Sequence, residues 1–382
     1  MLFDRDRLEA RERETLAPYA ALAAASRGRV HDESESDYRT AFQKDRDRVV
    51  HTTAFRRLEY KTQVFVNYQG DHYRTRLTHT LEVAQVAKAV CRALGLNEDL
   101  AETIALAHDL GHPPFGHAGE AALNRLAGPE GGFDHNKQSL RIVTRLERRY
   151  PLFEGLNLTW ETLEGIMKHE TEYDVPDASW EPDRRPSLEA QVVNLADEMA
   201  YNGHDLDDGL RAGILDGPTI ARVPVVATLM DGLGIDPARF AAQDRYLLIR
   251  ELLGRSIVDV VAATEGAVRE AGVRSLDDVR DAGSTLARAS ASGAAEQREL
   301  KDFLYANLYK HHRQIRMTRK AEKILSEIHL AYQAAPTMLP PAWQDAAEQR
   351  GLVRAVTDYL AGFTDRFAGD EYRRLFDPGA LT

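Results

Sequence analysis

Three histidines and two carboxylates lie within thirteen residues of this chain, from His108 to Glu120. The stretch begins with an adjacent pair, His108 and Asp109, at the end of an apolar helical pattern. An imidazole beside a carboxylate can give one divalent metal ion two ligands, provided that other helices supply the rest. His79 upstream and Asp197 downstream are the candidates for the remaining positions. The sequence therefore predicts a metal site formed by His79, His108, Asp109 and Asp197.

The predicted ligand set combines two imidazoles with two carboxylates and leaves room for water. Such a set suits manganese, iron, zinc, cobalt or nickel, and magnesium can bind through the carboxylates. A competing arrangement has His108 and His112 binding zinc from one helix, as in a metalloprotease motif. That motif needs glutamate where this chain has Asp109, and Gly111 and Pro113 would break the helix. We therefore prefer the four-ligand site.

Composition and charge limit the kind of protein that can carry this site. The chain has 382 residues, 43% of them hydrophobic, which suffices for a sizeable core. No run approaches the roughly eighteen apolar residues of a membrane span, and the first residues include no apolar signal region. We therefore expect a cytoplasmic protein without a membrane segment. The net charge of −11 argues against nucleic-acid binding by the whole surface.

The elements that must position the site are helices. Apolar residues recur at spacings of three and four through residues 79–94, and Asn97 is placed to cap a second helix that ends at the His108-Asp109 pair. Further helices are predicted over residues 117–126, 134–149, 159–168, 187–202, 240–253, 256–270, 296–330 and 352–367. The one strand signal predicts two short strands, at residues 63–66 and 73–76, joined by a turn at 67–71. We expect an all-α fold with at most this small β-hairpin.

The order of the four predicted ligands resembles that of the HD superfamily of metal-dependent phosphohydrolases. Longer motifs are similar to those of one branch, the dGTPase-like deoxynucleoside triphosphate triphosphohydrolases. They are residues 45–51 (DRDRVVH), 54–58 (AFRRL), 61–65 (KTQVF), 75–79 (TRLTH), 112–120 (HPPFGHAGE), 133–139 (FDHNKQS), 196–201 (ADEMAY) and 204–205 (HD). The resemblance covers about residues 37–210 and continues weakly through 305–309 and 316–317. It departs at Asp134, where the family pattern has glutamate.

The resemblance implies a fold and an activity. Residues 37–210 are expected to form an HD-domain helical core, preceded by an N-terminal helical segment at 1–36 and followed by a helical C-terminal region at 211–382 that packs on the core. The family hydrolyses a deoxynucleoside triphosphate at the α-phosphorus, which yields the deoxynucleoside and intact triphosphate. We therefore expect hydrolysis of dGTP or several deoxynucleotides with one divalent ion per site. Mn²⁺ and Mg²⁺ are the first choices, before Fe²⁺, Co²⁺, Ni²⁺ and Zn²⁺.

By the same resemblance, His117, Glu120 and His135 are the catalytic residues. His117 and Glu120 are three residues apart at the start of a predicted helix, so the carboxylate can orient the imidazole for acid-base chemistry. His135 is expected to contact the α-phosphate or to protonate the leaving 5′ oxygen. The alternative for His117 is an imidazole that is satisfied by backbone groups at the helix start.

A triphosphate carries about four negative charges, which need cationic partners. Arg76, three residues before His79, is the strongest candidate for phosphate contact, whereas Tyr201 is placed to exclude a ribose 2′ hydroxyl. A buried structural tyrosine is the alternative for Tyr201. The predicted substrate-binding residues are Lys61, Gln63, Arg76, His112, Asn136, Tyr201 and Asp205.

A second basic run lies far from the predicted ligands. It consists of Lys310, Arg313, Arg316, Arg319 and Lys320, interleaved with aromatic and aliphatic residues. A solvated helix face is the commonest explanation of such a run. A site for an effector deoxynucleotide at a subunit contact and a groove for single-stranded nucleic acid are the functional alternatives. Because the family forms oligomers with allosteric deoxynucleotide sites, we prefer the effector site and expect a hexamer or tetramer, with weak single-stranded DNA binding left open.

Two other functions stay open from the sequence. Another HD phosphohydrolase, such as a nucleotidase or a cyclic-nucleotide phosphodiesterase, would share the metal ligands but would not release triphosphate. A nucleotide-sensing or single-strand-binding protein with a vestigial site is the alternative that is not an enzyme. Against it, every expected ligand and the predicted catalytic residues are present.

Overall fold

The structure is a computed structural model that describes residues 3–65, 73–128, 131–169, 180–181 and 183–380. Within these ranges the regular elements are α-helices with short 3-10 and π turns, and no β-strand is present. The prediction of an all-α fold is confirmed. No helix in the described part of the chain is both long and apolar enough to cross a membrane.

The helices of the first half surround the predicted ligands. They are α1 (Arg5–Thr15), α2 (Ala41–Val50), α3 (Thr53–Arg57), α4 (Arg76–Leu94), α5 (Glu98–Ala107), α6 (Gly116–Leu126), α7 (His135–Arg141), α8 (Trp160–Met167) and α9 (Leu188–Arg211). The second half consists of α10 (Gly217–Ile220), α11 (Pro224–Leu233), α12 (Ala242–Ala271), α13 (Leu276–Arg280), α14 (Ala291–Leu304), α15 (His312–Ala334), α16 (Pro341–Arg350), α17 (Leu352–Ala361) and α18 (Asp365–Phe376). Short 3-10 turns include His108–Gly111, and π turns lie at Ile142–Leu146 and Tyr305–Tyr309.

The largest apolar cluster lies among α2, α4, α5, α8 and α9. Its fully buried members include Val83, Ile104 and Val192, one from each of the three helices that carry or lead to the predicted metal ligands. Burying a side chain of this size contributes roughly 1.5–3 kcal/mol relative to exposing it. The packing of α4, α5 and α9 therefore fixes the positions from which the predicted ligands project.

Two smaller apolar clusters join the C-terminal region to the first half. In one, Phe115 and Leu123 pack with Leu325 of α15. In the other, Leu206 of α9 packs with Leu252 of α12. The C-terminal region thus packs directly on helices of the predicted core, whereas the boundaries at 36/37 and 210/211 stay predictions.

The hairpin prediction is wrong for the residues that the structure describes. Thr62 and Thr75 form an isolated antiparallel bridge, and residues 63–65 form no strand. Arg76, predicted as strand, is the first residue of α4 because Thr75 caps that helix and its side chain accepts a hydrogen bond from the Thr78 amide. Val66 and the predicted turn at 67–71 lie outside the described residues.

Several predicted helix boundaries differ from the observed ones. The two helices predicted at 240–253 and 256–270 are one helix, α12, since the cost of a helical Gly254, about 1 kcal/mol, is smaller than the gain from packing the apolar face. The helix predicted at 296–330 is interrupted at the π turn Tyr305–Tyr309. The one predicted at 352–367 is divided at Gly362, because Thr364 caps α18.

Gly111 allows α7 to approach the turn that carries His108 and Asp109. Its amide donates a hydrogen bond of 2.8 Å to the Ser139 hydroxyl, which itself donates to the carbonyl of His108 at 2.8 Å. A Cβ at position 111 would overlap the carbonyl oxygen of His135 and the amide nitrogen of Ser139. The absence of a side chain at Gly111 therefore sets the distance between the predicted metal ligands and the helix of His135.

We predict that Gly111→Ala lowers the free energy of unfolding by about 1–3 kcal/mol, because the backbone of α7 must move to admit the methyl group. Urea unfolding measures this change. Gly266→Ala is the matched control: it lies within α12 with open space around its Cβ position, and alanine there should be neutral or stabilising by about 0.5–1 kcal/mol. Equal stability of Gly111→Ala and the wild type would contradict the close-approach argument.

Candidate metal centre and active site

A cavity of about 980 Å³ opens between the helical core and the α12–α14 region. Its wall includes eight imidazole or carboxylate side chains at the core end: His79, His108, Asp109, His112, His117, His135, His169 and Asp197. Gln63, Arg76 and Tyr201 also line it, and α12 and residues 287–302 form the opposite side. The volume lies within the range of sites for nucleotide-sized molecules.

The four predicted metal ligands meet at the core end of this cavity. His79 projects from α4 and Asp197 from α9, and His79 Nε2 lies 2.9 Å from Asp197 Oδ1. His108 and Asp109 occupy the 3-10 turn after α5, where His108 Nε2 lies 3.4 Å from Asp109 Oδ1 and 3.9 Å from Asp197 Oδ1. Candidate ligand atoms of His79, His108 and Asp109 lie within 4.8 Å of one another.

The chemistry of these four residues fits a divalent metal ion. His108 Nε2 is buried and makes no hydrogen bond within the described part of the chain, although buried polar atoms are normally paired. Burial lowers the pKa of His108, so its ring is neutral and a lone pair is available. Burial would raise the pKa of Asp109, but Arg76 and neighbouring histidines outweigh it and hold that pKa well below its usual range. Neutral imidazoles and ionised carboxylates are the forms that bind metal.

Arg76 supplies the nearest fixed positive charge. Its guanidinium Nη1 lies 3.0 Å from each carboxylate oxygen of Asp109, and both side chains are buried. Its Nε has no hydrogen-bond partner among the described residues. Arg76 and Asp109 both line the cavity, where a bound phosphate could approach the guanidinium.

The predicted catalytic residues form a second cluster, of which His117 and His135 line the same cavity. Glu120 Oε1 accepts hydrogen bonds from the backbone amide and Nδ1 of His135, both at 2.9 Å, whereas Glu120 Oε2 lies 3.5 Å from His117 Nδ1. The carboxylate thus binds His135 more closely than His117, the partner that spacing along the helix favoured. The His112 ring lies 3.8 Å from that of His135, centroid to centroid. His117 is half exposed at the start of α6.

The loop from His112 to Phe115 is held by the C-terminal region. Lys61 Nζ is buried and donates to the carbonyl of His112 at 2.5 Å and to that of Ala361 at 3.0 Å. Asp365, the first residue of α18, accepts hydrogen bonds from the Phe115 amide at 2.8 Å and the Thr62 amide at 3.0 Å. Burial lowers the pKa of Lys61 to about 7. Lys61, predicted as a substrate contact, lies within the protein and ties this loop to α17.

Two other predicted substrate contacts also lie behind the described cavity wall. Asn136 is buried and donates to the carbonyl of His169 at 2.9 Å. Asp205 is fully buried, its oxygens make no hydrogen bond to any described residue, and burial raises its pKa well above the usual range. Helix α9 runs unbroken to Arg211, so Asp205 does share a helix with Asp197, as the spacing predicts.

Gln63 and Tyr201 do reach the cavity. The buried Oε1 of Gln63 has no hydrogen-bond partner within the described ranges. The ring of Tyr201 stacks against that of Tyr309, with 6.2 Å between centroids. Both side chains thus lie where a ligand bound at the metal site could contact them.

Sequence reasoning missed His169, which lies close to the predicted ligands. His169 follows α8 and places Nε2 3.4 Å from Asp197 Oδ2, while its Nδ1 lies 2.7 Å from Asn194 Oδ1. His169, His108 and Asp197 form a second group of atoms within 4.8 Å. The available signal was a histidine directly after the helix predicted at 159–168. His169 is therefore a further imidazole in contact with a predicted metal ligand.

His204 was quoted only as part of a motif, yet it contacts a predicted ligand. It lies two helical turns after Asp197 on α9, and its Nδ1 is 3.3 Å from His79 Nδ1. Burial lowers the pKa of His204 to about 4. The seven-residue spacing from Asp197 was the available signal, because residues seven apart share a helix face.

The second basic run lies on the surface, away from the cavity. Its five residues, Lys310, Arg313, Arg316, Arg319 and Lys320, are exposed at or just before the N-terminal half of α15. Lys310 lies over the ring of Tyr305, and Arg319 pairs with Glu322 at 3.0 Å. From the same helix, Gln314 donates to the carbonyl of Val64 at 3.1 Å, next to Gln63. Gln314, which lies between Arg313 and Arg316, thus connects α15 to the segment that carries Gln63.

Comparisons with known proteins match two parts of the chain to family models. Residues 76–202 match the HD domain, which begins at the first residue of α4 and includes all four predicted metal ligands. Residues 287–374 match the phosphohydrolase-associated domain. A solved structure of a hypothetical protein from Aquifex aeolicus covers 87% of this chain and 71% of its own, at 18% identity and a TM-score of 0.39.

Curated relatives match nearly the whole chain. A deoxyguanosinetriphosphate triphosphohydrolase-like protein of Geobacter sulfurreducens is 50% identical over 371 residues, 96% of each chain. One of Azoarcus sp. is 50% identical over 381 residues, 96% of this chain and 98% of its own. A third, of Mesorhizobium japonicum, is 49% identical over 386 residues, 94% and 95% of the two chains. The chain therefore belongs to the deoxyguanosinetriphosphate triphosphohydrolase-like family of HD-type phosphohydrolases.

Proposed function

We propose that this protein hydrolyses deoxynucleoside triphosphates, dGTP or several of them, to the deoxynucleoside and inorganic triphosphate. The observation that carries the proposal is the convergence of two clusters on one cavity: the metal-ligand set of His79, His108, Asp109 and Asp197, and the acid-base set of His117, Glu120 and His135. The names of relatives at about 50% identity support the same substrate class.

The four predicted ligands would hold one divalent ion, Mn²⁺ or Mg²⁺ by our preference. Such an ion supplies positive charge that polarises a phosphate oxygen and lowers the pKa of water. Arg76, beside Asp109, is positioned to bind a phosphate oxygen at the same end of the cavity. A guanidinium in a buried setting binds an anion more strongly than an exposed one, since water competes less.

His135 is the residue best placed to hold a proton for the leaving 5′ oxygen. His135 lines the cavity, Glu120 accepts from its Nδ1, and an anionic carboxylate stabilises the charged ring. Burial would raise the pKa of Glu120, but His135 and His117 outweigh it and lower that pKa strongly, so the carboxylate stays ionised. His117, half exposed on the cavity wall, is the second acid-base candidate.

Sugar selection is proposed to rest on Gln63 and Tyr201. Gln63 Oε1 can accept a hydrogen bond from the 3′ hydroxyl, and the Tyr201 ring can occupy the space that a 2′ hydroxyl needs. We assign supporting roles to Lys61 and Asn136, which hold the His112 loop and the His169 backbone. Asp205 keeps its proposed sugar contact only if substrate binding opens a path to its buried carboxyl group.

For the basic run, we propose an effector deoxynucleotide bound at a contact between subunits of a hexamer or tetramer. Its exposed cations suit a polyanion, and the Gln314–Val64 hydrogen bond links the helix to the chain beside Gln63. Binding that favours the active assembly would then raise turnover at the cavity. Cytoplasmic location likewise stays a prediction.

The function is tested by product analysis with Mn²⁺-loaded protein and each deoxynucleotide, singly and in mixtures. We expect triphosphate and deoxynucleoside as the products, with GTP hydrolysed far more slowly than dGTP. Pyrophosphate or phosphate as the released product would instead indicate another HD-type nucleotide phosphohydrolase. Binding of deoxynucleotides or single-stranded DNA with no hydrolysis under any condition would favour the sensing protein.

We predict that His117→Gln lowers kcat by about 10²-fold while Mn²⁺ affinity stays at the wild-type value, since the side chain lies outside the ligand cluster. Steady-state kinetics and Mn²⁺ titration measure the two quantities. His51→Gln, an exposed histidine after α2 and outside the cavity, is the matched control. An unchanged kcat with a raised KM would reassign His117 to substrate binding.

We predict that replacing Arg316 and Arg319 together by alanine abolishes activation by mixed deoxynucleotides and shifts the oligomer distribution seen by light scattering. Arg366 and Arg373, exposed on α18, provide the matched double control. If activation and assembly are unchanged but salt-dependent affinity for single-stranded DNA falls, the run binds nucleic acid. If none of these quantities changes, the run is a solvated helix face.

A further inference from the structure

Beside the predicted metal ligand His79 lies a chain of two further side chains, His204 and Glu82, that are not in the cavity lining. His79 Nδ1 is 3.3 Å from His204 Nδ1, and His204 Nε2 is 3.0 Å from Glu82 Oε2. The two imidazole rings stand nearly perpendicular, at 89°. Glu82 follows His79 by three residues on α4, and His204 lies on α9, so the contact also joins these two helices.

The positions of the protons in this chain follow from which groups can donate. An ionised carboxylate only accepts, so the His204 nitrogen that faces Glu82 must carry hydrogen. The ring of His204 is buried, which favours the neutral form of an imidazole with a single N–H. That proton is on Nε2, which leaves His204 Nδ1 as an acceptor.

His79 must then donate from its own Nδ1 to His204. Its Nε2 consequently presents a lone pair toward Asp197 Oδ1, 2.9 Å away. Two lone pairs at this distance repel each other unless a cation lies beside both, which is the arrangement that a shared metal ion requires.

Glu82 is itself fixed in its acceptor role. Arg74 Nε donates to Glu82 Oε2 at 2.9 Å, and the same guanidinium donates to Asp207 at 2.6 Å and to Asp208 at 3.0 Å on α9. Although burial opposes it, the hydrogen bonds and charges of His204 and Arg74 lower the pKa of Glu82 to about 2. The carboxylate therefore stays ionised over the range in which proteins function.

We propose that His204 and Glu82 are positioning residues for the metal ligand His79, because they fix which of its nitrogens carries the proton and which faces the metal. The proposal rests on the proposed metal centre and extends it. Neither residue is in the cavity lining, so both act through His79. Removing either residue allows His79 to rotate or to change tautomer, which weakens metal binding.

The test is the Mn²⁺ dissociation constant, measured from the electron paramagnetic resonance signal of free Mn²⁺ without any nucleotide. His204→Ala is expected to weaken binding by about 10- to 100-fold. His204→Asn keeps an acceptor oxygen near the position of Nδ1 and is expected to restore most of the affinity. His329→Ala, which removes another buried histidine outside the cavity, is the matched control and should bind as the wild type does.

Glu82→Ala provides a second route, because this side chain is 39% exposed and we expect the variant to fold. Glu82→Ala should also weaken Mn²⁺ binding. The double variant with His204→Ala should bind Mn²⁺ as tightly as His204→Ala alone, since both side chains act through His79. Wild-type affinity in both single variants, or equal weakness of His204→Asn and His204→Ala, would overturn the proposal. Failure of the wild type to bind Mn²⁺ would overturn the metal centre itself, whereas Mn²⁺ binding without triphosphohydrolase activity would overturn only the substrate assignment.

Discussion

Two ionised carboxylates at the base of one cavity are the constraint on which the rest of this structure depends. Asp109 is buried and Asp197 has 14% of its side chain exposed. Removing a carboxylate from water costs several kcal/mol unless positive charge and hydrogen bonds compensate. Arg76 lies against Asp109, whereas Asp197 is surrounded by imidazoles, which are strong partners for a carboxylate only with a shared cation or an added proton. A divalent metal ion is the partner that satisfies both.

The remainder of the fold holds this arrangement in place from several directions. Packing among α4, α5 and α9 sets the ligand positions, and Gly111 lets α7 bring His135 close to them. The C-terminal region also holds parts of the cavity wall in place. Asp365 and Ala361 accept hydrogen bonds from the segment that carries Gln63, and Asp365 also accepts one from the His112 loop. Any change in the packing of α17 and α18 is therefore transmitted to the wall of the cavity.

The sequence predicts the helices that bring the four candidate ligands together but does not predict the contacts that support them, for physical reasons. Helical spacing and cap residues locate α4 and α5, so His79 and the His108-Asp109 pair can be placed on their elements in advance. Local spacing cannot show that Glu120 turns toward His135, fifteen residues away, because that contact depends on how α6 and α7 pack. The sequence also does not show whether a charged side chain is buried. Lys61 was predicted to contact substrate, yet it donates hydrogen bonds to two carbonyl groups within the protein.

The most direct test of the metal centre is a crystal structure of Mn²⁺-loaded protein with data collected at the manganese absorption edge. We predict one anomalous peak per chain, bound by His79, His108, Asp109 and Asp197. A second group, His112, His117 and Glu120, also has metal-ligand spacing and provides an internal comparison. A peak at that group alone, or no peak within the cavity, would contradict the assignment of the four ligands.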